Sequence, residues 1–197
     1  MEFVAFDFET ANSTRSSVCA LGIAQVEGRA ITKCLSRIIR PPTLCFHPYN
    51  TYLHGITAED VKDKPEFYQL WDEFRQYFQN KLLIAHNANF DISVLCCILD
   101  EYGIPYPTLR YLCTCTIARR TWPNLPNYKL NTVSKYLGIE FRHHDAQEDA
   151  IACAGIAICA CKEFGVNSLE ELARKINIRT ALLHPVTDKP GTIPQQI

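Results

Sequence analysis

Residues 2–10, Glu2-Phe3-Val4-Ala5-Phe6-Asp7-Phe8-Glu9-Thr10, constrain the fold of this chain more than any other stretch. Phe and Val favour a pleated backbone, and side chains alternate between the two faces of a strand. One face therefore carries Val4, Phe6 and Phe8, and the other carries Phe3, Ala5, Asp7 and Glu9. Two residues of strand rise separate the Asp7 and Glu9 Cα atoms by about 6.5 Å, so their carboxylates can converge on one ion or on a pair of ions. A polar outer face of an edge strand fits poorly, because apolar residues stand on both faces. A strand of that kind is buried, and buried carboxylates are costly unless positive charge compensates them.

The 197 residues and 47% hydrophobic content suit one domain with a sizeable core and a short appendage. A net charge of −1 excludes a broad basic face that wraps long duplex. It leaves room for a nucleic acid held by a few contacts and by metal ions. The ten cysteines do not form zinc-type pairs: Cys96-Cys97, Cys113-Thr114-Cys115 and Cys159-Ala160-Cys161 lack the C-x-x-C spacing. Most stand among apolar residues, where free Cys acts as a small hydrophobe. The N-terminal stretch, with Glu2, Asp7 and Glu9, does not read as a leader. No apolar run approaches the ~20 residues that span a bilayer. The expectation is a soluble, cytoplasmic protein in a reducing compartment, with no membrane partner.

Along the chain, the first strand, Val18–Glu27 and residues 31–40 read as a three-strand antiparallel meander turning at Gly28-Arg29. Residues 41–57 read as a loop closing on Leu53-His54-Gly55-Ile56-Thr57, with Thr57 capping a short helix at 58–61. Phe67, Leu70, Trp71, Phe74 and Phe78 recur at helical spacing. Residues 82–85 form a short buried strand, and a helix from Phe90 stops at Gly103. A fifth strand is expected over 110–115, then helices over 116–122, 130–137, 146–164 and 168–176. The order predicts an α/β fold, a mixed five-stranded sheet flanked by helices. Residues 1–176 form the expected domain. Residues 177–197, aperiodic and containing Pro185, Pro190, Gly191 and Pro194, read as a linker or flexible tail.

Two further acidic positions stand at helix starts. Asp91 follows a buried strand in His86-Asn87-Ala88-Asn89-Phe90-Asp91. By itself it reads as helix-start chemistry, where an acid gains about 0.3–1 kcal/mol from the helix dipole. Asp149 lies in His143-His144-Asp145-Ala146-Gln147-Glu148-Asp149, about a turn inside a helix that Asp145 caps. Its face is small and apolar, which is unexpected for an acid. His144 alone reads as a surface or capping histidine. Together, Asp7, Glu9, Asp91 and Asp149 supply four hard oxygen donors with no Cys/His set, which selects Mg²⁺ or Mn²⁺ over Zn²⁺. Two such ions about 3.5–4 Å apart would clamp the attacking and leaving oxygens of a phosphoryl displacement. His144, with an ordinary pKa near 6.5, suits a general base.

Phe6-Asp7-Phe8-Glu9-Thr10, Asn87-Ala88-Asn89-Phe90-Asp91 and His144-Asp145-Ala146-Gln147-Glu148-Asp149 resemble, in order, the three motifs of the DEDD exonucleases. The likeness is to the histidine-bearing, DnaQ-like branch (DEDDh), which includes the proofreading epsilon subunit of bacterial DNA polymerase III. The tyrosine-bearing branch would carry a tyrosine where this chain has Asp145. The resemblance covers about residues 1–165 and implies a ribonuclease H-like fold. It implies 3′-5′ exonuclease activity that releases nucleoside 5′-monophosphates, with two Mg²⁺ or Mn²⁺ ions as cofactors. Asp7, Glu9 and Asp149 would hold the catalytic ion, Asp7 and Asp91 the second, and His144 would be the base. Phe8, Thr10, His54, Ile56, Asn87 and Phe90 would bind the terminal nucleotide. The implied partner is nucleic acid with a free 3′ end, DNA in first place and RNA as the alternative, alongside a polymerase or repair protein. A non-catalytic binding module on the same fold is a third reading. Arg119, Arg120, Lys129, Lys135 and Arg142 are candidates for phosphate contacts, and Trp122–Lys129 for the strand exit.

Overall fold

A computed structural model describes residues 1–184. Strand β1 (Glu2–Thr10) lies inside a six-stranded sheet of order β3-β2-β1-β4-β5-β6. Strands β2 (Val18–Glu27) and β3 (Ala30–Ile38) complete the antiparallel meander, while β4 (Leu82–Ala85) and β5 (Leu109–Cys113) run parallel to β1. Three helices cover β1, two on one face and one on the other. Helix α3 (Phe67–Phe78) and helix α4 (Ala88–Glu101) bury the Val4, Phe6 and Phe8 face. Helix α7 (Ala146–Glu163) buries the Phe3 and Ala5 face. The remaining helices are α1 (Pro48–His54), α2 (Ala58–Val61), α5 (Thr114–Thr121), α6 (Leu130–Leu137) and α8 (Leu169–Lys175).

Three expectations are corrected. The sheet has six strands, not five: β6 (Ala181–Leu183) pairs antiparallel with β5 through Leu109↔Leu183 and Tyr111↔Ala181. Only Leu183 of its three residues is buried, so the strand carries no period that sequence could show. The boundary drawn at 176 thus falls before the last strand, and residues 185–197 of the expected tail lie outside the described residues. Helix α1 occupies the stretch read as a loop. It buries none of its residues, so it lacks an apolar stripe; its ends are set by the His47 side chain accepting from the Tyr49 N–H and by Gly55 in the left-handed region. Finally, β5 ends at Cys113 and α5 begins at Thr114, so Cys115 belongs to the helix.

One glycine decides how the acidic elements meet. Gly22 pairs with Asp7 across β1 and β2, and a Cβ there would lie 2.0 Å from the Ala146 carbonyl oxygen. The missing side chain lets the first turn of α7 rest on β2 beside Asp7. The small residues of that helix, Ala150, Cys153, Ala154 and Ala157 among them, are buried and continue the close approach.

Candidate active site

The C-terminal half of β1 delivers two of the acids. Glu9 pairs with Ala20 and Thr10 with Val18, so the ladder with β2 is interrupted by a bulge just after Glu9. On the other side, the pairing with β4 spans Val4↔Leu83 and Ala5↔Ile84. Beyond it the Phe8 N–H donates instead to Asp91 Oδ1 at 3.1 Å. Asp91 stands in the first turn of α4, after Asn87, whose φ of 71° is one that Asn tolerates better than most residues. Asp149 stands one turn into α7, which Asp145 caps by accepting from the Gln147 and Glu148 N–H groups.

These elements gather their carboxylates. Ligand-type oxygens of Asp7, Glu9 and Asp149 all lie within 4.8 Å of one another. Asp91 and Asp149 are buried, at 2% and 4% exposure. Burial is the main cause of a raised pKa at all four acids. Mutual repulsion adds to it at Asp7, where Asp91, Glu9 and Asp149 all contribute, and at Glu9, which is pushed up to about 8. Asp91 is also pushed up to about 8, against the pull of the Phe8 N–H. Asp149 is raised as well, against its hydrogen bond to His143. A set of hard oxygen donors with more negative charge than the protein neutralises fits divalent cations, and the donor chemistry suits Mg²⁺ or Mn²⁺.

The histidines divide the site. His144 has a φ of 68°, an uncommon backbone for a non-glycine residue, and its N–H donates to Asp149 Oδ2 at 3.2 Å. Its ring stacks on His143 at 3.9 Å between centroids. Burial, with His143 and His54 nearby, lowers the His144 pKa and favours the neutral ring. His143 bonds Asp149 through Nδ1 at 3.1 Å. The sequence reading left His143 without a role; a histidine six residues before a buried acid was the only signal for it.

Two cavities share His143 and His144. One, of about 550 Å³, contains Asp7, Phe8, Glu9, Asn87, Phe90 and Asp149, with Cys115, Arg119, Tyr128 and Lys129 on its wall. The other, of about 670 Å³, is lined by His54, Ile56, Tyr52, Lys64 and Arg142. The six residues expected to grip a terminal nucleotide are therefore split. Asn87 and Phe90 line the cavity that holds the carboxylates, Phe8 reaches it only through its backbone because its ring is buried on the opposite face of β1, and His54 and Ile56 line the neighbouring cavity. Thr10 lines neither cavity and sides with His54: its carbonyl accepts from Asn50 Nδ2 at 2.8 Å and lies 3.3 Å from His54 Nε2. Of the five basic candidates, Arg119 and Lys129 reach the first cavity and Arg142 the second; Arg120 and Lys135 line neither. Arg15, which sequence reasoning passed over, lies 4.2 Å from the centroid of the Phe90 ring.

The sheet thus gathers carboxylates at one end of an inner strand, beside a groove large enough for a ligand. The exonuclease family model (RNase T) matches residues 4–157, and the chain belongs to this family. It is 28% identical over 197 aligned residues to the PolC-type DNA polymerase III of Caldanaerobacter subterraneus subsp. tengcongensis, covering 94% of this chain and 14% of that one. The PolC-type enzyme of Clostridium perfringens is 30% identical, with 94% and 13% covered. The chain thus spans a small part of the length of these curated relatives. Among solved structures, Exonuclease X in complex with 5′ overhanging duplex DNA superposes with a TM-score of 0.71 at 24% identity, covering 88% of this chain and 99% of that one. No helix among the described residues is long and apolar enough to cross a membrane.

Proposed function

We propose that the protein is a 3′-5′ exonuclease that hydrolyses the terminal phosphodiester of a DNA strand, single-stranded or frayed, and releases nucleoside 5′-monophosphates. The convergence of Asp7, Glu9 and Asp149 within 4.8 Å carries this reading. Asp7, Glu9 and Asp149 would hold one Mg²⁺ or Mn²⁺ ion, and Asp7 with Asp91 a second. Such ions polarise the phosphoryl group and offset the charge that develops on it. His144 accepts a proton from water: its depressed pKa keeps the ring unprotonated at neutral pH, and its backbone is fixed by the bond to Asp149. Phe90 and Asn87 grip the terminal nucleotide beside the carboxylates. Thr10, His54 and Ile56 continue the grip across the histidine pair.

DNA stands first because the sequence relatives are named as DNA polymerases. In that context the chain would act in replication or repair in the cytoplasm, beside a polymerase. The test is release of mononucleotides from 3′-labelled and 5′-labelled DNA and RNA of one sequence, with Mg²⁺, with Mn²⁺ and with chelator. Successive shortening of 5′-labelled DNA, abolished by chelator, is expected. Faster loss of RNA than of DNA would reassign the substrate. Retention of 3′ ends without turnover under either metal would leave a binding module.

A further inference from the structure

The wall formed by α5 and the segment leading to α6 has no role in the chemistry above, yet it faces the carboxylates. Arg119, Tyr128 and Lys129 line the same cavity as Asp7, Glu9 and Asp149. The Arg119 guanidinium lies 5.2 Å from the centroid of the Tyr128 ring. It makes no ion pair among the described residues. Its neighbour is instead the Cys115 thiol.

Tyr128 is held at both ends. Its hydroxyl donates to the Trp122 carbonyl at 3.0 Å, and its own carbonyl accepts from His86 Nε2 at 2.8 Å. Nδ1 of that imidazole lies 3.0 Å from Thr114 Oγ1, which in turn lies 3.3 Å from Cys153 Sγ. Burial lowers the His86 pKa, and the neutral ring satisfies this chain with one proton on Nε2. Cys153 lies one turn after Asp149 on α7. The aromatic wall is thereby tied to the helix that carries a catalytic acid.

We propose that Tyr128 and Arg119 form a subsite for the nucleotide immediately upstream of the scissile bond, with the Tyr128 ring under its base and Arg119 on its phosphate. The inference rests on the exonuclease reading of the carboxylate cluster. A ring and a cation in one groove hold single strands without reading sequence. A ring held beforehand through its hydroxyl, on a main chain that His86 also holds, loses little freedom when a base settles on it. Arg119, which no carboxylate neutralises among the described residues, adds positive charge to this cleft beside Lys129.

The test compares two DNA oligonucleotides with the full chain and Mg²⁺. They differ only in the penultimate position, which holds thymidine in one and an abasic tetrahydrofuran residue in the other. The wild type is expected to show a KM about tenfold higher on the abasic strand, the size of one lost base–aromatic stack. Tyr128→Ala should remove that preference, leaving similar KM values on both strands, and Tyr128→Phe should restore it. Arg119→Ala, which leaves the ring and its hydrogen bonds in place, should lower the slope of log KM against log salt by about 0.7, the value of one single-strand phosphate. A wild type indifferent to the abasic residue, or a preference that survives in Tyr128→Ala, overturns the stacking half. An unchanged salt slope overturns the phosphate half. A wild type inert on both strands refutes the exonuclease reading itself, a result distinct from either.

Discussion

The two faces of β1 are built from one stretch of backbone and do opposite things. On one side Val4, Phe6 and Phe8 sink into an aromatic layer, with Phe6 edge-on to Phe78 at 5.4 Å and to Phe8 at 5.8 Å. On the other, Phe3 and Ala5 pack on small residues of α7, and the face turns acidic at Asp7 and Glu9. Apolar burial favours the folded state at roughly 25 cal/mol per Å², whereas four acids with raised pKa values oppose it at neutral pH. One face therefore holds the strand rigid while the other tolerates unfavourable charge, and the first makes the second affordable.

Substitutions on the two faces should separate activity from stability. Asp7→Asn is expected to cost about a thousandfold or more in kcat/KM, with the thermal midpoint unchanged or higher, because a buried charge is removed. A variant that loses activity and midpoint together would mean that Asp7 is structural. Phe6→Ala, on the opposite face and fully buried, should lower stability by about 3–5 kcal/mol in denaturant titration. Gly22→Ala lies between these cases. Its Cβ meets main chain of α7 rather than a side chain that can turn away, so the helix must shift. A loss of about 1–3 kcal/mol is expected, with a fall in kcat from the displaced Asp149. Full activity in that variant would show that the site does not depend on this close approach.

Much of this was legible in the sequence because its causes are local. The alternation of β1 sorted its side chains onto the correct faces, and Thr57 and Asp145 cap α2 and α7 as their positions suggest. The acids could be picked out because a carboxylate on an apolar face breaks the local pattern. What escaped leaves no pattern of that kind. Strand β6 exists through pairing with β5, and α1 is held by its caps with no apolar stripe. The bond from His143 to Asp149, the separation of His54 from Phe90 and the tie from His86 to Tyr128 all follow from how elements close on one another. Neither hydrophobic period nor motif spacing encodes them.

The mildest test varies the charge of the acidic face without mutation. Glu9 and Asp91, each raised to about 8, bind more protons in the folded chain than in the unfolded one. Stability contributed by the acidic face should therefore fall as pH rises from about 4 to about 8. His54, His86 and His144, lowered by burial, act in the opposite sense but only near and below their ordinary value of 6.5. Cys113, pulled down to about 4 chiefly by the hydrogen bond from Cys115, also opposes the acids. The clean window is pH 6.5 to 8, and the clean quantity is the rise in thermal midpoint on adding Mg²⁺. At pH 8 the cation meets Glu9 and Asp91 about half ionised, whereas at pH 6.5 it must displace a proton from nearly every copy of each, so the rise should be larger at pH 8. Equal rises at the two values would mean that the cation stabilises the protein elsewhere, and the acidic face of β1 would lose its claim to be a metal site.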